Sequence, residues 1–128
     1  MGPRLLLDTD VLVDYLRGRD EAAAYLEARA EPLLISAITV AELHGGVREG
    51  DEKTRLAQFL GAFEIIPLDA EIARQGGLYR RDYGASHGVG LADALIAATA
   101  ALHQAQLVTL NARHFPMLEV EVAYSKPA

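Results

Sequence analysis

Three acidic residues in this 128-residue chain have neighbours that single them out: Asp8, Glu42 and Asp93. Asp93 lies within Leu91-Ala92-Asp93-Ala94-Leu95-Ile96-Ala97-Ala98, whose other side chains offer a charge no partner. A buried carboxylate is unfavourable unless it is paired or bound to metal. If Asp8 and Glu42 share its site, mutual repulsion deepens the problem, and a divalent cation is the natural remedy. The chain has no cysteine, so oxygen or imidazole must hold any metal, and His44, His87 and His103 lack metal-ligand spacing. An all-oxygen set suits Mg²⁺ or Mn²⁺, hard ions that keep waters and bind through a few carboxylates and substrate phosphate oxygens. The chemistry this permits is phosphodiester hydrolysis.

Local pattern also allows plainer roles. Asp8 can cap a following helix, Thr39-Val40-Ala41-Glu42 matches a capping box, and Asp93 can favour a helix dipole. Asp20, Asp51 and Asp69 carry the same signature, and Asp69 also follows a strand-like run, so spacing alone keeps it as a rival.

The elements that must position these acids alternate along the chain. Leu5–Leu7, Leu33–Ile35, Ile65–Leu68 and Leu107–Leu110 are short apolar runs without polar alternation, which predicts buried strands. Val120-Glu121-Val122 alternates and predicts an edge strand. Helices are predicted over Val11–Leu16, Ala22–Ala30, Val40–Arg48 and Thr54–Phe63, then in a longer segment from Asp69. The last and most apolar, Ala92–Leu102, presents Leu91, Leu95, Ala98 and Leu102 on one face and reads as a buried helix. This order predicts an α/β fold, with a mainly parallel central sheet covered by helices on both sides. Ligands then bind beyond the carboxyl ends of the strands, so Asp8 after the first strand and Glu42 and Asp93 in the first turns of their helices are well placed. The length suits one domain, 1–128, and no segment reads as a signal peptide or membrane span. The formal charge of −6, from 12 basic and 18 acidic residues, argues against grip on nucleic acid by global electrostatics. Gathered acids offset by bound cations weaken that objection, and ten of the basic residues are arginine, among them Arg48, Arg55, Arg74, Arg80, Arg81 and Arg113.

Four segments taken together, Leu6–Val13, Ile35–Leu43, Gly90–Ala97 and Leu107–Phe115, resemble the motif series of PIN-domain ribonucleases, most closely the VapC-like toxins of type II toxin-antitoxin modules. The resemblance spans the chain in order and matches no acidic position to Asp69. It implies a three-layer α/β/α sandwich and a Mg²⁺-dependent endoribonuclease. It also implies inhibition by a cognate VapB-like antitoxin and a homodimer; a cytoplasmic location is expected from the lack of a signal peptide or membrane span. Asp8, Glu42 and Asp93 match the family's metal-binding acids. A fourth acid is common at or near the position of Asn111, which is neutral here but can still ligate through its amide oxygen, and His114 stands where a nearby Asp is often seen. Thr9, Ser36 and Thr109 are candidates to hold the acids or metal-bound waters, with helix caps and turns as the plainer roles. Arg113, Arg80 and Arg81 are candidate RNA contacts and His114 a candidate phosphate contact, against ordinary surface and loop roles. Ser86-His87-Gly88-Val89-Gly90 lacks the Gly-Lys-Ser/Thr ending of a phosphate-binding loop.

Asp8-Thr9-Asp10 also suggests a phosphotransferase resembling the haloacid dehalogenase group. The two lysines, Lys53 and Lys126, are badly placed for that chemistry, and the same lack argues against a phosphoacceptor receiver domain. The remaining alternative is a PIN-like RNA- or protein-binding module without catalysis.

Overall fold

The computed structural model describes residues 4–125; Lys126 lies outside them. Five strands, β1 (Arg4–Leu7), β2 (Leu34–Ser36), β3 (Glu64–Ile66), β4 (Ala105–Thr109) and β5 (Val120–Val122), form one sheet in the order β3-β2-β1-β4-β5. Every pairing is parallel, with Leu6 opposite Leu34, Leu7 opposite Val108 and Leu107 opposite Val120. Strand side chains alternate between faces. Leu6, Leu34, Ile66 and Leu107 therefore enter one core, while Leu7, Ile35 and Val108 enter the other. A strand buried on both sides has no polar face to show, which is why the runs lack alternation.

The helices are α1 (Thr9–Leu16), α2 (Asp20–Glu27), α3 (Ala37–Gly45), α4 (Asp51–Leu60), α5 (Ala70–His87) and α6 (Leu91–Leu102). Ile72 of α5 and Ile96 of α6 pack on the first core, and Val11, Tyr25, Leu43 and Leu56 from α1 to α4 pack on the second. The result is a three-layer α/β/α arrangement with an entirely parallel sheet. No helix among the described residues is long and apolar enough to cross a membrane.

Several expectations change. The run Ile65–Leu68 was expected to be a buried strand, but β3 is a sheet edge spanning Glu64–Ile66, and Ile65 and Leu68 are exposed. The face assigned to α6 holds only at its centre: Ala98 is buried and Leu95 packs against the first core, but Leu91 and Leu102 at the ends are exposed, and Ala94, Ile96, Ala97 and Ala100 complete the buried side. Helix α3 starts three residues before Val40, because Ser36 accepts a hydrogen bond from the Ile38 amide and caps the helix where β2 ends. Glu42 therefore belongs to its second turn, and the capping box expected from Thr39 and Glu42 does not form.

One helix crossing depends on glycine. A Cβ at Gly76 of α5 would sit 2.5 Å from Leu95 Cδ2 and 3.2 Å from Leu95 Cα. Only glycine lets α5 and α6 approach this closely, and α6 carries Asp93.

Candidate active site

β1 lies between β2 and β4, so the chain connections leave it in opposite directions and open a crevice at its carboxyl end. Such a switch point is where parallel sheets bind ligands. A cavity of about 350 Å³ lies there, lined among others by Asp8, Thr9, Asp10, Glu42, Asp93 and Asn111.

Asp8 follows β1, is 6% exposed and does two things at once. Its Oδ1 accepts from the Thr9 amide at 2.8 Å as the cap of α1, and its Oδ2 lies 2.8 Å from the Thr109 hydroxyl at the end of β4. Cap and cavity residue are thus one role, because the strand ends where the helix begins. Burial pushes the Asp8 carboxyl up to about 7, with the nearby Asp10 and Asp93 charges adding to it and the bonds from Thr109 and Thr9 opposing it. Asp93, in the first turn of α6, is also held above the ordinary carboxylate range by burial. His114 Nδ1, 3.5 Å from Asp93 Oδ2, works against that rise, and Glu42 and Asp10 reinforce it.

Glu42 reaches the cavity from α3. Its Oε1 is 2.6 Å from the Thr9 hydroxyl, which also lies 2.9 Å from the hydroxyl of the fully buried Thr39. The hydroxyl carries one proton, and its bond to Glu42 ties α1 to α3 across the mouth of the crevice.

Residues 5–119 match the profile of the PIN domain. The chain belongs to the PIN domain family. This PIN domain is 45% identical over 118 residues to Ribonuclease VapC10 of Mycobacterium tuberculosis, covering 90% of this chain and 88% of that protein. It is 36% identical over 135 residues to Toxin FitB of Neisseria gonorrhoeae, covering 92% and 95% respectively. Among solved structures, a chain of a toxin-antitoxin complex from Klebsiella pneumoniae superposes with a TM-score of 0.83 at 33% identity, over 95% of this chain and 99% of that one.

The PIN fold gathers most of the sequence-derived candidates and separates others. Asp8, Thr9, Glu42, Asp93, Asn111 and His114 line one cavity, and Thr109 stands behind Asp8. Ser36 does not line it; it is the cap of α3. Arg113 is exposed in the 3-10 turn Ala112–His114 and does not line it either. Arg81 is paired with its neighbour Asp82. Asp69, the rival acid, accepts from the Ile72 amide at 2.9 Å and caps α5.

Four cavity residues lay outside the sequence-derived set: Asp10, Val13, Asp14 and Arg17. The three polar ones share one face of α1, at the i, i+4, i+7 spacing of a single helix side, which was the available signal. Asp14 is buried and held by the Tyr124 hydroxyl at 2.8 Å and by Arg19 at 3.5 Å. Arg17 lines this cavity and an adjoining one of about 560 Å³ between α1, α3 and α4, lined by Leu16, Leu43, Val47 and Leu56.

Proposed function

We propose that this chain is a Mg²⁺-dependent (or Mn²⁺-dependent) endoribonuclease. In this reading it is the toxin of a toxin-antitoxin module, cleaving RNA in the cytoplasm as a homodimer until a cognate VapB-like antitoxin inhibits it. The observation that carries the reading is the convergence of Asp8, Glu42 and Asp93 at the switch point of a PIN fold whose relatives include Ribonuclease VapC10. The toxin role draws on the likeness to Toxin FitB and to the Klebsiella pneumoniae toxin-antitoxin complex.

The donor set fits a hard divalent cation. Carboxylates crowd one cavity, and two of them resist ionisation because of burial and one another, so a cation would relieve both penalties. Among the described residues no three Asp, Glu, His or Cys side chains are grouped so as to hold an ion by themselves. Waters and substrate phosphate oxygens would therefore have to complete the set, as they commonly do for Mg²⁺.

Asp8, Glu42 and Asp93 would hold the ion, with the Asn111 amide oxygen available beside them. When bound, the cation supplies Lewis acidity toward phosphoryl oxygens and a more acidic water for attack on phosphorus. The bonds from Thr109 and the Thr9 amide favour the charged form of Asp8 and so oppose the rise that burial causes. Thr9 likewise aims Glu42 inward. His114 holds Asp93 and presents a half-exposed imidazole to the cavity, where it can contact a phosphate. Arg17 offers a guanidinium to the cavity, and Arg113 lies in the turn Ala112–His114 that follows Asn111. An arginine-bearing antitoxin segment would bind the same carboxylates by charge-assisted hydrogen bonds and displace the ion.

Replacing Asp8 or Asp93 with Asn should abolish Mg²⁺-dependent cleavage of total RNA and leave the far-ultraviolet circular dichroism spectrum intact. Unchanged cleavage would sink the catalytic assignment and favour a binding module.

A further inference from the structure

The neutral Asn111 leaves the β4 side of the cavity without an acid of its own, yet a carboxylate is braced there from α1. Asp10 Oδ2 accepts from the Leu110 amide at 3.1 Å and lies 3.3 Å from the Thr109 hydroxyl. Those two residues immediately precede Asn111, whose own amide bonds the Thr109 hydroxyl at 3.1 Å. Asp10 thus lines the cavity at the end of β4, about 100 residues away in sequence but adjacent in space.

We infer that Asp10 supplies the fourth negative charge of the cation site, in place of an acid at position 111, by holding waters of the bound ion from the β4 side. The inference rests on the metal-dependent reading above and extends it to a residue that reading does not use. A braced carboxylate suits an outer role: its bonds to the turn fix its direction, and Mg²⁺ is reached through retained waters.

The test titrates Mn²⁺ into the full-length protein and follows free ion by electron paramagnetic resonance. Asp10→Asn keeps an oxygen for the Leu110 amide while removing the charge, and should weaken Mn²⁺ binding by about 10- to 100-fold, the range typical of residues supporting metal ligands. Asp10→Ser, which does not rely on an isosteric fit, should show a similar loss. The double variant Asp10→Asn/Asn111→Asp should recover most of the affinity, which a merely structural role for Asp10 does not explain. Wild-type affinity in both single variants, with binding lost in Asp8→Asn, overturns the inference and leaves the three-acid reading standing. Failure of the double variant to recover also overturns it. No Mn²⁺ binding by the wild-type protein overturns both.

Discussion

At the scale of single residues, the site is governed by hydroxyl groups as much as by acids. Thr109 is fully buried, and its hydroxyl serves the Asp8 carboxylate and the Asn111 amide together. Thr109→Val keeps the shape and removes both bonds. Asp8 then loses a bond that favours its ionised form, so the acid limb of the pH–rate profile should move to higher pH. Cleavage at neutral pH should fall by roughly 10- to 100-fold; a fluorogenic RNA assay across pH 5 to 9 measures both effects. A profile that keeps its position would mean that Thr109 does not tune Asp8. That Asp8, Glu42 and Asp93 would meet was legible in the sequence, because Asp93 has no local partner and because Asp8 and Glu42 fall in matching motifs. Asp10 was not, because its meaning depends on contact with Leu110, and nothing local reports a contact across 100 residues. The pairing of His114 with Asp93 was hidden for the same reason: a lone loop histidine announces no partner.

At the scale of elements, the sequence order of strands and helices predicted the layers well, and the errors cluster at helix beginnings. Helices α2, α3 and α4 start two or three residues before the predicted positions, since their first turns are polar or capped and carry no apolar periodicity. The exposure of Leu91 and Leu102 at the ends of the face predicted for α6 has another cause. An alanine-rich helix has no strong polar side, so leucines draw attention although the closest packing needs small residues. The α5–α6 crossing makes this testable with two neighbouring glycines. A methyl group at Gly76 meets Leu95 Cδ2 and backbone, whereas one at Gly77 meets nothing within 4 Å. Gly76→Ala should therefore destabilise the protein by about 1–3 kcal/mol through overpacking. Gly77→Ala should instead stabilise it by roughly 0.5–1 kcal/mol, because alanine loses less backbone entropy in a helix. Urea unfolding of the two variants decides the matter. Equal effects would mean that α5 and α6 do not touch at Gly76. Since α6 carries Asp93, Gly76→Ala should also reduce cleavage while Gly77→Ala leaves it unchanged.

At the scale of the whole molecule, the acids that make the site useful also oppose folding, and pH controls how strongly. Asp8 ionises near the ordinary aspartate value of 3.8 when unfolded, and burial pushes it up to about 7 when folded. Between those values the folded chain binds more protons than the unfolded one, so stability falls as pH rises through the window and levels off above it. Asp93 is shifted in the same direction and adds to the slope. The metal-free protein, kept in EDTA, should therefore melt at a lower temperature at pH 8 than at pH 5. A cation that binds the ionised carboxylates reverses this. At 100 times its dissociation constant it stabilises the fold by about 2.7 kcal/mol, so Mg²⁺ should raise the melting temperature clearly at pH 8 and little at pH 5, where protonated acids do not bind it. Asp8→Asn should flatten the slope in EDTA, raise the melting temperature at pH 8 and abolish most of the response to Mg²⁺. Differential scanning calorimetry at the two pH values, with and without Mg²⁺, separates these outcomes. A melting temperature that rises with pH in EDTA would show that groups other than Asp8 and Asp93 govern the balance.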